Sequence, residues 1–347
     1  MTAGAISDSE SGALNVDAVS DWLRGLGLGA RSPLRFSRLG QGHSNLTFLV
    51  TDADERRWVL RRPPLGELLA SAHDVAREFR ILSALEATEV PAPRVLGLCD
   101  DNRVSDVPLV VMEHVEGLAF DIPAVADRLS PDRRRAIGFG LVEALARIHA
   151  VDLTQSGLVS LSSHESYAAR QLKRWHRQWQ LSQTREVPAI DELSERLRAA
   201  MPPDQELTLV HGDFHLRNVI ASPVDGSTRA VLDWELCTLG EPLADLGELL
   251  AYWPQAGEPP GFDVSARPGF PSREELAAAY AERTGRSLDA PGFWHVLALW
   301  KGAIIGEGVL RRAQADRRNA PPGVAISAQA VDDIVDRALR IAEVEDL

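Results

Sequence analysis

The chain is poor in the residues that staple, anchor or export a protein. Only two cysteines, Cys99 and Cys237, occur in 347 residues. Their isolation excludes a disulfide framework or a cysteine-rich zinc site and fits a reducing cytosol. Only two lysines, Lys173 and Lys301, stand among 37 lysines and arginines. The first fifteen residues hold neither a basic stretch nor an apolar core, so no signal peptide is expected. No apolar run approaches a membrane span, since even Val107–Val115 is broken by Glu113 and His114. There is no internal repeat and no low-complexity domain. A cytoplasmic protein with no membrane partner is expected.

What is present is ordinary for a folded protein: 45% hydrophobic and 25% charged residues, over a length that suits two lobes with their own cores. The net charge of −13 argues against a nucleic-acid partner and is compatible with a cationic small molecule. Basic residues interleaved with tryptophan at Lys173-Arg174-Trp175-His176-Arg177 read as an amphipathic surface helix. Oligomeric state has no signature.

The block from 207 to 253 organises the chain. Leu207 to Val210, an apolar β-prone run, delivers His211, Asp213 and Asn218 into a loop, and Val219-Ile220 follows at once. A turn on Pro223, Asp225 and Gly226 reverses the chain, so that Val231-Leu232 brings Asp233 back beside the loop. Two carboxylates and an amide then face one spot, which suits phosphoryl transfer: one carboxylate for an acceptor hydroxyl, the others for hard Mg²⁺ ions on nucleotide phosphates.

The sequence His211-Gly212-Asp213-Phe214-His215-Leu216-Arg217-Asn218, followed by Asp233-Trp234-Glu235, resembles the aminoglycoside phosphotransferase and choline kinase superfamily of small-molecule kinases. The resemblance implies an α+β, protein-kinase-like bilobal fold: a small antiparallel sheet with a helix, and a larger, mainly helical lobe. It implies Asp213 as catalytic base, Asn218 and Asp233 as metal ligands, ATP and Mg²⁺ as cofactors, and a small-molecule hydroxyl as acceptor. His215 falls where protein kinases carry a phosphate-contacting lysine. Asp245 reads either as a helix N-cap or, by the resemblance, as a brace for the catalytic loop.

Upstream, Gly40, Gly42, Ser44 and Asn45 lie between β-prone flanks and resemble the family's nucleotide-covering loop. Trp58-Val59-Leu60-Arg61-Arg62 reads as the strand that usually delivers a phosphate-gripping lysine. No lysine precedes residue 173, so Arg61 is the candidate, with Arg62 second. Ser71 opens a helix as a capping residue, and Glu78 on that helix pairs with Arg61. By the resemblance, Glu113 and Val115 are the candidates to supply backbone groups for adenine at the hinge between lobes. Expected divisions are an amino-terminal flexible segment and short helix to residue 29, a nucleotide-binding lobe over 30–114, and a catalytic lobe over 115–347.

The reading is an ATP- and Mg²⁺-dependent phosphotransferase acting on a small-molecule hydroxyl. Val59–Pro63, Arg77–Arg80 and Asp233–Leu246 look closest to the branch fused to acyl-CoA dehydrogenases, where a hydroxyacyl compound is the acceptor. Two other readings stand beside it: a nucleotide-binding pseudokinase, on the missing lysine, and a metallohydrolase built on His211, Asp213 and His215.

Overall fold

Alternating apolar and polar residues in the first third of the chain build an antiparallel sheet. Its strands β1 (Gly4–Ala5), β2 (Arg35–Leu39), β3 (Leu46–Thr51), β4 (Arg57–Arg62), β5 (Val95–Cys99) and β6 (Leu109–Glu113) lie in the order β1-β2-β3-β4-β6-β5. The computed structural model describes residues 4–5, 14–39, 45–64, 74–122, 124–163, 165–203, 206–255, 258, 263–315 and 327–347.

The two-residue period of β4 sorts its side chains. Trp58, Leu60 and Arg62 are buried on one face, and Val59 and Arg61 point to the other. Helix α1 (Val16–Gly25), capped by Asn15, closes the first face with Val19 and Leu23 against Phe36, Phe48 and Trp58. Helix α2 (Val75–Leu85) covers the second with Ile81 and Leu82, in one core with Val110 and Met112. Its cap is Asp74, whose side chain accepts from the Arg77 amide, so the helix begins later than a cap at Ser71 would place it. Ser71 lies outside the described residues.

Among the described residues the chain passes once from this lobe to the other, through residues 114–117 between β6 and β7 (Leu118–Ala119). Strand β7 already belongs to a second sheet, pairing with β9 (Val219–Ala221), which pairs in turn with β10 (Thr228–Val231). Gly117 makes this possible: a Cβ there would stand 2.6 Å from the Ala221 carbonyl oxygen.

Helices make up most of the larger lobe. After the four-residue α3 (Ala124–Asp127), α4 (Pro131–His149) buries Ile137, Leu141, Leu145 and Ile148 completely, at the spacing the sequence predicts. Helices α5 (Tyr167–Ser182) and α6 (Pro188–Ala199) lead to β8 (Thr208–Val210), which pairs with β11 (Thr238–Gly240). Then come α7 (Leu243–Ala251), α8 (Arg273–Thr284), α9 (Pro291–Ala315) and α10 (Ala328–Val344). By length and composition Pro291–Gln314 could cross a membrane, which the scan for apolar runs did not anticipate; 78% of its apolar window is buried. It is the central helix of this lobe's core.

Candidate active site

Strand β8 ends at Val210, and the chain enters a loop whose backbone is held from several sides. Asp245, in the first turn of α7, accepts from the amides of His211 (2.7 Å) and Gly212 (2.8 Å). Its carboxylate also meets His149 Nε2 at 3.3 Å. Asp245 is therefore the loop's brace, and the N-cap position of α7 is taken by Pro242. Gly212 adopts φ +83°, and a Cβ there would stand 2.9 Å from the Leu236 carbonyl oxygen. Only glycine fits this turn without strain.

His211 is fully buried, with Nε2 2.9 Å from the Leu232 carbonyl and Nδ1 accepting from the Asp213 amide at 3.3 Å. Burial lowers its pKa, so the ring is neutral, with its proton on Nε2. Both nitrogens are spent on backbone, which leaves no lone pair for a metal. The metallohydrolase site also required 211–215 to run as a strand with three ligands on one face. The strand stops at Val210, and among the described residues no three His, Cys, Asp or Glu side chains are placed to hold a metal.

Asp213 and Asn218 meet across the short 3₁₀ turn Leu216–Asn218. Asn218 Nδ2 donates to the Asp213 carboxylate and to its carbonyl, both at 2.9 Å. His215 Nε2 lies 3.5 Å from the same carboxylate, and its ring stacks on Tyr252 with centroids 4.4 Å apart. Burial alone would raise the Asp213 carboxyl. His215 beside it, with Lys301, instead holds it well below the ordinary carboxylate range, so it is ionised at neutral pH.

Leu232 donates its amide to the Asn218 carbonyl at 2.8 Å, which lands Asp233 beside Asn218 in the left-handed conformation, φ +67°. Arg61 of β4 reaches Glu78 Oε1 with Nη1 (2.7 Å) and Asp233 Oδ1 with Nη2 (2.6 Å). Burial would favour losing its charge, but Glu78 and Asp233 hold it protonated. Asn45 Nδ2 donates to Glu235 Oε2 at 3.0 Å, and Arg77 of α2 donates to the carbonyls of Glu235 and Cys237. The small lobe thus grips the Asp233–Cys237 segment through three side chains. Arg62, the second candidate, faces away, buried behind β4 and paired with Asp106 at 3.2 Å. Alternation along the strand decides between the two.

A cavity of about 280 Å³ opens here between the lobes. Arg61, Asn218 and Asp233 line its polar end, and Leu39, Val59, Met112 and Ile220 its apolar part. Glu113, His114 and Val115 lie on its hinge side. The Glu113 amide is committed to the Arg94 carbonyl at 2.9 Å, so of its backbone only the carbonyl remains for a ligand. Among the described residues, Val115 makes no turn or loop backbone hydrogen bond. Gly40, Gly42 and Ser44 lie outside the described residues.

The donor set fits Mg²⁺. Asn218 spends its amide nitrogen on Asp213, leaving Oδ1 without a partner among the described residues, and Asp233 likewise has Oδ2 to offer. A carboxylate and an amide oxygen, with phosphate oxygens and water, make the hard octahedral shell this ion requires.

Sequence reasoning missed Lys301, Glu248 and Tyr252, which surround the loop from below. Lys301 Nζ donates to the Gly212 carbonyl (2.8 Å) and to Glu248 Oε1 (3.0 Å). Burial pushes the Glu248 carboxyl up to about 7, against the pull of Lys301. The scarcity of lysine, with one of the two set inside an apolar helix, was the available signal.

A β-sheet lobe with a helix on each face, a helical lobe, and paired carboxylates at the cleft define a kinase-like phosphotransferase architecture. The chain belongs to the phosphotransferase enzyme family, whose sequence profile matches residues 35–294. It is 38% identical to mouse acyl-CoA dehydrogenase family member 10 over 87% of its length, and spans 29% of that relative's length. A Ralstonia eutropha structure provisionally assigned as an aminoglycoside phosphotransferase is 30% identical, with TM-score 0.71, covering 96% of this chain and 97% of that one. The aminoglycoside phosphotransferase APH(4)-Ia, solved with AMP-PNP and hygromycin B, shares the fold with TM-score 0.61 at 19% identity, covering 94% of this chain and 99% of that one.

Proposed function

We propose that this protein transfers the γ-phosphoryl group of ATP to a hydroxyl of a small molecule, with Mg²⁺ bound at Asn218 and Asp233. The observation that carries the reading is the approach of Arg61, Asn218 and Asp233 at one end of one cleft, with the Asp213 carboxylate held by Asn218, from three separate stretches of chain. Asp213 orients the acceptor hydroxyl and receives its proton as the oxygen bonds to the γ-phosphorus and the bond to the β–γ bridging oxygen breaks. ADP is the leaving group. Asp213 titrates so low that positioning outweighs proton abstraction, as expected for a loose phosphoryl-transfer transition state. Bound Mg²⁺ would neutralise charge on the phosphates. Arg61 serves the phosphate end in place of lysine, and Val115 with the Glu113 carbonyl serves the adenine edge. His215 acts on Asp213, which it touches. The two free, buried cysteines suit a cytosolic enzyme.

For the acceptor, a hydroxylated acyl compound is favoured over an aminoglycoside by the 38% identity to an acyl-CoA dehydrogenase family member. The pseudokinase reading rested on the missing lysine, and Arg61 occupies that position with its helix partner engaged.

The test is a thermal shift of wild type and Asp233→Asn with ATP or GTP, with and without Mg²⁺. Saturating nucleotide, at about a hundredfold over its dissociation constant, stabilises by about 2.7 kcal/mol. A Mg²⁺-dependent rise absent from the variant supports the reading, and ADP release with hydroxyacyl and aminoglycoside acceptors then separates the substrates. No shift at millimolar nucleotide overturns it.

A further inference from the structure

One buried charge in the larger lobe touches none of the reacting groups. Lys301 lies mid-way along α9 in an otherwise apolar stretch and is only 6% exposed. Burying an ammonium is costly unless every donor finds a partner. Its partners are Glu248 Oε1 of α7 at 3.0 Å, the Gly212 carbonyl at 2.8 Å, and the face of Trp175, whose centroid is 5.8 Å away. The contact with Gly212 falls on the one carbonyl that shares a peptide plane with the Asp213 amide.

That plane is held at both ends. Its oxygen accepts from Lys301, and its N–H, that of Asp213, donates to the neutral His211 ring at 3.3 Å. The preceding peptide is fixed by Asp245 through the Gly212 amide. A Cβ on Gly212 would stand 2.9 Å from the Leu236 carbonyl oxygen, so the backbone here passes close to the Asp233–Cys237 segment. From these contacts we infer that Lys301 is a positioning residue for Asp213: it sets the rotation of the Gly212–Asp213 peptide and so the direction in which the Asp213 carboxylate leaves the loop. Glu248 compensates its charge. The kinetic part of this inference rests on the proposed phosphotransfer reading; the structural part does not.

The experiment compares wild type, Lys301→Arg, Lys301→Met and the double variant Lys301→Met/Glu248→Gln, the last removing the buried carboxylate that the single variant leaves unpaired. Expected for the methionine variants is a fall in kcat for ADP release of about 100-fold, the scale of a 1 Å misplacement. KM for ATP stays within about twofold, because no nucleotide contact is touched. Lys301→Arg recovers most of kcat, since a guanidinium still donates to the Gly212 carbonyl. Hydrogen exchange, which needs no substrate, should show the Asp213 amide opening about tenfold faster in the double variant and near the wild-type rate in Lys301→Arg. A folded double variant with wild-type kcat or wild-type exchange overturns the inference, as does equal loss in the arginine and methionine variants. A wild type inert toward every nucleotide would sink the phosphotransfer reading, and the exchange rates would still decide the role of Lys301.

Discussion

Arg61 Nη1 stands 2.7 Å from Glu78 and Nη2 2.6 Å from Asp233, so one guanidinium joins strand β4, helix α2 and the Asp233–Cys237 segment. Glu78 is 2% exposed and depends on this cation. Arg61→Met should lower unfolding free energy by about 3 kcal/mol, the usual result of leaving a buried charge alone. Arg61→Met/Glu78→Gln should recover most of it. Urea denaturation measures both, and a double variant as unstable as the single would contradict the assignment.

Asp213→Asn should reduce turnover by about 10²–10⁴-fold, because the amide neither aligns the acceptor hydroxyl as a charged acceptor nor takes its proton. It should leave the nucleotide-dependent thermal shift intact, since Asp233 and Arg61 remain. Loss of the shift together with turnover would mean that Asp213 holds the nucleotide rather than the acceptor.

At Gly212 the φ of +83° and the nearby Leu236 carbonyl both oppose a side chain. Gly212→Ala should cost about 1–2 kcal/mol for the left-handed backbone, with further loss from the contact. Turnover should fall more than stability implies, because the strain relaxes into Asp213. Calorimetry beside steady-state kinetics checks the pairing of effects.

Acid should destabilise the fold through buried histidines. His149 lies between Tyr280 Oη at 2.7 Å and Asp245 at 3.3 Å, and burial lowers its pKa, as it does for His211 and His295. The unfolded rings titrate near the ordinary 6.5. Below that pH the unfolded chain binds more protons than the native one, so stability is fully present above it and is lost as pH falls through the depressed native values. Tm should therefore hold level from about pH 7 to 8 and fall below about 6.5, with a shallower fall in His295→Asn. A level Tm down to pH 5 would refute this.

The parts of the site legible in the sequence are those set by local spacing. Asp213 and Asn218 lie within one turn, and the reversal at Pro223–Gly226 was enough to return Asp233 to them. Arg61 and Glu78 were legible because a two-residue and a 3.6-residue period each choose a face. Contacts that depend on packing between distant segments were not legible. Nothing local announces that Arg77 reaches the Cys237 carbonyl, that β8 pairs with the three residues of β11, or that Tyr252 lies on His215. Asp245 was half legible: the apolar helix after it suggested a cap, but its carboxylate serves amides thirty-three and thirty-four residues away.

The single crossing through residues 114–117 has a mechanical consequence. On one side β6 is stitched to β4 and β5, and on the other β7 is stitched to β9, the strand that begins immediately after Asn218. The pivot is therefore four residues long, and the strand on its far side is continuous with the turn that carries the asparagine. Asp213 and Asn218 both lie beyond the crossing and Arg61 lies before it, so a change of angle between the lobes would alter the reach of Arg61 to Asp233 and leave the Asp213–Asn218 contact as it is.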